Sequence, residues 1–135
     1  MLEIAESLGC PVIASHSNAY DICPVSRNLR QEQIRAILQS CGIIGLNLHT
    51  PFLKKDAEAH ACDLLAHIAY FLEQGCEERL ALGCDMDGCT LPCEIPTLAH
   101  LHTLAELMLR QGYSEPLIHR IFYQNAYSFA QKHLA

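Results

Sequence analysis

The chain has 135 residues, of which 50% are hydrophobic and 18% are charged, and its formal net charge is −6. This composition is typical of a globular domain and excludes a disordered chain. The nine Lys and Arg residues are scattered, which excludes a nucleic-acid interface, and no apolar segment approaches the roughly 20 residues that cross a membrane.

The first strand-and-helix unit begins after an N-terminal helix that is predicted from the second residue. A short apolar strand is predicted at 11–15, opened by Pro11. The helix after it is predicted to begin at Asn28, with Gln31 completing a variant of the capping box, and Gly42 stands where a C-cap glycine belongs.

The second unit has a fully apolar strand at 43–48, followed by a loop over 49–55. Apolar residues at helical spacing then predict a long helix from near residue 56 to residue 74, with Gly75 at its end. This loop connects the second strand to the long helix.

The third strand is predicted at 80–84, and Pro96 opens the helix that follows it, which stops at Gly112. Two further helices end the chain, one capped by Ser114 and one over 125–133, with a break between them.

Continuous apolar strands that alternate with helices predict a parallel sheet covered on its faces, which is an α/β fold. Successive strands start about 32 to 37 residues apart, the spacing of a βα repeat. A complete (β/α)8 barrel needs about 250 residues, so two architectures remain open: a small three-stranded α/β protein, or part of a TIM-like barrel. By length, residues 1–135 are predicted to form one domain.

The cysteines and the N-terminus both bear on the cellular compartment. The segment before Cys10 lacks the basic residues of a secretory signal. The eight cysteines include no Cys-x-x-Cys pair, and the spacing of Cys84, Cys89 and Cys93 matches no common zinc or iron–sulfur pattern. We interpret the cysteines as small buried thiols in a reducing cytosol, with a metal cluster as the less favoured alternative, and we expect a cytoplasmic protein.

Polar residues follow each predicted strand at the edge where parallel α/β folds build their sites. His16 follows the first strand and is a candidate metal ligand, or alternatively a core histidine. Asn47 ends the second strand, and Asp85 follows the third as a candidate proton relay. Arg27, in the loop after the first strand, is a candidate to pair with a substrate carboxylate, or alternatively an ordinary surface arginine.

The remaining histidines are interpreted as structural or solvated. His60 and His67 are predicted seven residues apart on one helix, where Asp63 and His67 are interpreted as an ordinary helix-face pair. His100 and His102 are too close in sequence to chelate an ion together on a helix. No Ser or Cys has the context of a catalytic nucleophile.

These segments together resemble the membrane (renal) dipeptidase family of zinc peptidases. The resemblance is carried, in order, by Pro11-Val-Ile-Ala-Ser-His16-Ser-Asn-Ala-Tyr20, Ser26-Arg27-Asn28-Leu29, Gly42-Ile-Ile-Gly-Leu-Asn47, Ala66-His67-Ile68, Gly83-Cys84-Asp85-Met86-Asp87-Gly88 and Gln111-Gly112-Tyr113-Ser114-Glu115.

The resemblance implies the C-terminal part of a TIM-like barrel with a two-zinc site that hydrolyses dipeptides. It implies that His16 is a zinc ligand, that Arg27 holds the substrate carboxylate, and that Asp85 handles protons during attack by the metal-bridging water. Asn47 is assigned to substrate binding. Two cations at such a site lower the pKa of the water and stabilise the tetrahedral oxyanion.

The other zinc ligands of the family lie upstream of the segment that matches here, so we expect this chain to supply one part of the active site. We expect the isolated chain to bind zinc weakly and to lack peptidase activity, because a site needs three or more donors. The expected partners are a dipeptide and either a second copy or a complementing N-terminal half. The rival interpretation is a non-catalytic α/β interaction module derived from the same fold.

Overall fold

The computed structural model describes residues 9–134, and the predicted N-terminal helix lies outside them. In chain order the elements are β1 (Ile13–Ala14), α1 (Gln31–Gln39), β2 (Ile43–Leu46), α2 (Thr50–Leu53), α3 (Asp63–Glu73), β3 (Leu80–Leu82), a 3-10 turn (Leu98–His100), α4 (His102–Arg110), α5 (Glu115–His119), a π-helical segment (Arg120–Gln124) and α6 (Asn125–His133). None of the helices within 9–134 is both long and apolar enough to cross a membrane.

The three strands form one parallel sheet in the order β1-β2-β3. Ile13 is paired with Ile43, and Ile44 with Leu80. The predicted α/β class and the parallel arrangement are confirmed. The strands are shorter than predicted, and β2 is buried along its whole length because it lies between the other two.

Two glycines let the backbone that leaves β1 lie close against the other strands. A Cβ atom on Gly45 would lie 2.2 Å from the carbonyl oxygen of Ser15, and one on Gly83 would lie 1.9 Å from the same oxygen. Real Cβ atoms do not approach a backbone oxygen this closely, so only glycine fits at either position. The ends of all three strands therefore meet at the Ser15 carbonyl, one residue before His16.

The predicted boundaries of the first helix are wrong at both ends. The N-cap is Arg30, whose backbone N–H donates to Oε1 of Gln33 at 2.9 Å, whereas the Asn28 side chain donates to loop carbonyls. At the C-terminal end the left-handed residue is Cys41 (φ 57). Gly42 is required for a different reason, since a Cβ there would lie 2.1 Å from the carbonyl oxygen of Val12.

The second predicted helix begins seven residues late, at Asp63 rather than near Asp56. Asp56 itself adopts a left-handed conformation (φ 57), which a helix cannot contain. Part of the predicted loop instead forms α2, which has a proline in its first turn. The predicted glycine at the end of this helix is confirmed. Gly75, two residues after Glu73, has φ +85, a left-handed conformation that favours glycine.

The C-terminal helices follow the predicted caps and boundaries with two exceptions. Gly112 (φ +90) follows α4, and the side chain of Ser114 accepts the Leu117 N–H at 3.4 Å to cap α5. Pro96 lies before the 3-10 turn rather than in the first turn of a helix. The predicted break before Asn125 is wrong, since the π-helical segment joins α5 to α6 without interruption.

The hydrophobic core lies between the sheet and the helices, and its largest buried side chains include Ile34, Ile44, Leu64, Phe71 and Leu104. One polar side chain connects this core to the last helix. The amide of Asn125 donates to the carbonyls of Glu77 and Leu80 at 2.9 and 2.8 Å, which fixes α6 against β3.

The interpretation of the cysteines as buried thiols is correct for only some of them. Cys23 and Cys76 are buried, and burial raises the pKa of the Cys76 thiol to about 11. Cys41, Cys62 and Cys93 are exposed. Core packing therefore does not explain every cysteine.

Candidate active site

The end of β1 holds His16 in one defined tautomer. Nη2 of Arg27 lies 2.7 Å from Nε2 of His16, and Oγ of Ser15 lies 2.7 Å from Nδ1. A guanidinium can only donate, so Nε2 must accept and Nδ1 must carry the proton and donate to Ser15. The lone pair of Nε2 therefore faces the positive charge of Arg27, and the second nitrogen is fixed by a hydrogen bond.

Asn47 lies at the end of β2 and is completely buried. Its amide nitrogen donates to the His16 carbonyl at 3.4 Å, and its amide oxygen accepts the His49 N–H at 2.6 Å. Asn18 binds the backbone of Asn47 on both sides, accepting its N–H at 3.1 Å and donating to its carbonyl at 2.9 Å. The amide nitrogen and the amide oxygen of Asn47 are therefore both hydrogen-bonded to backbone groups, and the nitrogen holds the backbone of His16 in place.

Asp85 begins a tight turn after β3 and has a left-handed conformation (φ 60). The Gly88 N–H donates to the Asp85 carbonyl at 3.1 Å. A Cβ on Gly88 would lie 2.9 Å from Oδ1 of Asp85, so glycine leaves space for the carboxylate. Aspartate tolerates this backbone conformation better than most residues.

The structure brings three of the four predicted residues into one hydrogen-bonded group. His16 contacts Arg27 through its ring, and Asn47 through its carbonyl. Asp85 lies at the same edge of the sheet, two residues beyond the Gly83 contact with Ser15. Within residues 9–134 no hydrogen bond or ion pair joins Asp85 to the other three.

His67 holds the loop that follows His16 by a hydrogen bond to the backbone of Ala19. The sequence did not predict this role. His67 is completely buried, its Nδ1 accepts the Ala19 N–H at 3.1 Å, and its Nε2 donates to the Leu53 carbonyl at 3.0 Å. Burial lowers the pKa of His67, although the hydrogen bond to Leu53 and the charge of Asp63 oppose the effect. The interpretation of His67 as one of an ordinary helix-face pair is wrong. Its position between Leu64 and Phe71 on the apolar face of α3 was the available signal.

A cleft of about 560 Å³ lies between the loops that follow β2 and β3, with Val25 from the loop after β1 also in its lining. Its lining residues include Thr50, Lys54, Ala59, Thr90 and Cys93. None of the four predicted site residues lines this cleft. They lie instead at the strand ends.

A second group of polar side chains joins the same two loops. Nδ1 of His60 lies 2.9 Å from Oε1 of Glu94, and the Ala61 N–H donates to Oε2 of Glu94 at 3.3 Å. Partial burial acts to raise the pKa of Glu94, but hydrogen bonds from its own N–H, Ala61, His60 and Cys93 together lower it. His60, predicted on the α3 face, lies before that helix. No sequence signal could find the group, because its members are more than 30 residues apart.

Comparison with known proteins decides the family. A family model described as membrane dipeptidase, peptidase family M19, matches residues 1–132. The chain belongs to the membrane dipeptidase family. The match confirms the family that the sequence motifs indicated. This is a family of metallopeptidases.

The relatives that the chain resembles are longer than the chain itself. An uncharacterized Klebsiella pneumoniae protein from the pqqA 5′ region is 35% identical over 119 residues, which cover 85% of this chain and 44% of that protein. Dipeptidase AC, a metallopeptidase of family M19, superposes with a TM-score of 0.89 at 32% identity, covering 96% of this chain and 38% of that structure.

A metallopeptidase from Rhodobacter sphaeroides, liganded with a phosphinate mimic of the dipeptide L-Ala-D-Ala, superposes with a TM-score of 0.85 at 31% identity. The match covers 94% of this chain and 38% of that structure. The chain therefore spans between 38% and 44% of the length of these relatives. The three strands described above form part of the TIM-like barrel of the family, which decides between the two architectures left open by the sequence.

Proposed function

We propose that this chain supplies His16, Arg27, Asn47 and Asp85 to the active site of a zinc-dependent dipeptidase. The observation that carries the proposal is the tautomer of His16. A histidine ligand needs one unprotonated nitrogen, whose lone pair can face a cation, and a hydrogen-bond acceptor for the N–H on the other nitrogen. Nε2 accepts from a cation, and Nδ1–H is held by Ser15.

His16 would hold a zinc ion through Nε2, and two zinc ions in the complete site would supply a water of lowered pKa. Arg27 binds the carboxylate of the dipeptide, because its planar guanidinium can form two parallel hydrogen bonds to it. The Arg27 side chain then has to leave Nε2 of His16, which makes the lone pair available. Asn47 fixes the backbone of His16 and the loop at His49, and so acts on the substrate by positioning the groups around it.

Asp85 accepts the proton of the attacking water and delivers it to the leaving amine. The carboxylate suits both steps because Gly88 leaves space around its Oδ1 oxygen. Its turn after β3 places it at the edge where the βα loops meet.

The 135 residues provide one of the zinc ligands that the family resemblance implies, so we propose that the isolated chain is inactive. The outer edge of β1 has no neighbouring strand among the described residues, and Ile13 on that strand is 48% exposed. Unpaired strand edges and exposed apolar residues bind further strands. The complement is the remainder of the barrel, supplied by the same polypeptide or by a separate N-terminal half; a second copy could cover the edge of β1 but would bring only the same ligand, His16.

A chimera tests the proposed roles. The segment of the Rhodobacter sphaeroides metallopeptidase that superposes on this chain is replaced by this chain, and hydrolysis of L-Ala-D-Ala is measured with zinc. Asp85→Asn is expected to lower kcat by about 100-fold to 10,000-fold. Arg27→Lys is expected to raise KM more than it lowers kcat, because it loses the bidentate contact.

Asp87→Asn serves as the matched control, since Asp87 is an exposed carboxylate two residues from Asp85. It is expected to leave kcat within about threefold of the parent chimera. Equal losses in Asp85→Asn and Asp87→Asn would contradict the assignment of the proton relay to Asp85.

A further inference from the structure

His60, Cys93 and Glu94 place three different metal-binding groups in one small volume outside the proposed active site. An imidazole nitrogen, a thiol sulfur and a carboxylate oxygen all lie within 4.8 Å of one another. His60 comes from the loop before α3, and the other two come from the loop after β3. The three side chains therefore converge through the fold rather than through local sequence.

We propose that His60, Cys93 and Glu94 form a second binding site for one zinc ion, separate from the site at His16. The combination of nitrogen, sulfur and oxygen donors selects a borderline-soft cation such as zinc. Magnesium and calcium prefer oxygen donors alone, so they are not expected to bind here.

The distances are close to those that a tetrahedral zinc ion requires. Zinc bonds of about 2.0 to 2.3 Å place neighbouring donor atoms roughly 3.3 to 3.7 Å apart. Nδ1 of His60 and Oε1 of Glu94 are 2.9 Å apart, and the sulfur of Cys93 lies within 4.8 Å of a ring nitrogen of His60 and of a carboxylate oxygen of Glu94. Small side-chain rotations bring all three donors to the required separation. Zinc would then replace the proton between His60 and Glu94.

Further hydrogen bonds hold two of the ligands in place. The Ala61 N–H binds the second oxygen of Glu94, which leaves the first oxygen directed at His60. Oδ2 of Asp63 accepts the backbone N–H of His60 at 2.8 Å, and Nζ of Lys54 lies 3.5 Å from the other carboxylate oxygen of Asp63. Such supporting contacts raise metal affinity because the ligands need little reordering.

The surroundings leave the fourth coordination position to water. Cys93 is exposed and lines the 560 Å³ cleft, and the His60 side chain is 41% exposed. An ion can therefore reach the site from solvent through the cleft. A bound ion would join the loops that follow β2 and β3, which together form that cleft.

Cobalt(II) provides the direct test, because a thiolate ligand gives a near-ultraviolet charge-transfer band and tetrahedral coordination gives strong visible absorption. The 135-residue chain is titrated with cobalt(II) and then with zinc, which should displace it. We expect one saturable cobalt ion with both spectral features, bound by these three residues, whereas His16 alone supplies too few ligands to hold an ion in the isolated chain. Cys93→Ser should abolish the charge-transfer band and weaken binding at least about tenfold.

Cys62→Ser is the matched control, since Cys62 is an exposed cysteine only two residues from His60. It should retain the charge-transfer band, and His16→Asn should retain it as well. Loss of the band in Cys62→Ser, or its persistence in Cys93→Ser, would overturn the proposal. Absence of any charge-transfer band in the parent chain would also overturn it.

Glu94→Gln and His60→Gln extend the test to the other two ligands. Each should weaken cobalt binding while keeping the charge-transfer band at saturation, because Cys93 remains. Circular dichroism and thermal unfolding without metal establish that each variant is folded. Unchanged affinity in folded Glu94→Gln and His60→Gln would reduce the site to a lone thiol and refute it.

Discussion

Replacement of His67 tests whether the loop beside His16 is held by a buried imidazole. In His67→Leu the Ala19 N–H and the Leu53 carbonyl both lose their partner inside the core. A buried polar group without a partner costs about 1 to 3 kcal/mol, so the free energy of unfolding should fall by roughly 2 to 6 kcal/mol. A domain of this size has about 5 to 15 kcal/mol in total.

His67→Asn separates the two hydrogen bonds. The asparagine oxygen can occupy the position of Nδ1 and accept from Ala19, whereas nothing reaches the Leu53 carbonyl. The loss should therefore be about half of that in His67→Leu. Urea unfolding at constant pH measures both variants, with unchanged denaturant slopes showing that the unfolded state is the same.

The pH dependence gives an independent measure of the same burial. The pKa of His67 is lowered in the folded protein from its usual value of 6.5. The unfolded chain therefore takes up a proton that the folded chain does not, as pH falls below 6.5. The stability contribution of neutral His67 is complete above pH 6.5 and is lost toward the folded pKa, by at most about 1.4 kcal/mol per pH unit.

His67→Asn should lose this part of the pH dependence. The difference in unfolding free energy between the parent and the variant should shrink between about pH 7 and pH 5. A difference that stays constant over this range would refute the burial of a neutral imidazole. A His67→Leu variant within about 0.5 kcal/mol of the parent would refute the hydrogen bonds.

Two other buried contacts give predictions that urea unfolding can check. Gly83→Ala should lower the unfolding free energy by about 3 kcal/mol or more, because its Cβ would lie 1.9 Å from the Ser15 carbonyl. Gly112→Ala, which has open space but φ +90, should lose only about 1 to 2 kcal/mol, and equal losses would contradict the contact at Ser15. Asn125→Asp should destabilise more than Asn125→Ala, since a carboxylate would face the carbonyls of Glu77 and Leu80 without a proton to donate. The reverse order would refute the anchoring of α6.

The strands and their parallel arrangement could be predicted because their signal is local. A buried parallel strand is a continuous apolar segment, and β2 and β3 are such segments. Gly75 and Gly112 were also predictable, since a left-handed residue after a helix favours glycine. Cys41 has the same conformation without being glycine, so the sequence pointed to Gly42 instead.

The polar contacts depend on distant parts of the chain, and the sequence could not predict them. Asn28 has the residue type of an N-cap, yet its side chain binds Cys23 and Phe52, the second being 24 residues away. His60 and Glu94 are 34 residues apart and meet only because two βα loops converge. Strand-end position and motif resemblance nevertheless selected His16, Arg27 and Asn47, which the fold joins by hydrogen bonds.

The central claim is that these 135 residues carry one part of a dipeptidase active site, with the rest of the barrel required for turnover. Hydrolysis of L-Ala-D-Ala, measured side by side for the chain alone and for the chimera in the presence of zinc, tests it most directly. We expect turnover by the chimera, its loss in the His16→Asn and Asp85→Asn chimeras, and none by the chain alone. Turnover by the chain alone, or a folded chimera whose activity is insensitive to both substitutions, would contradict it.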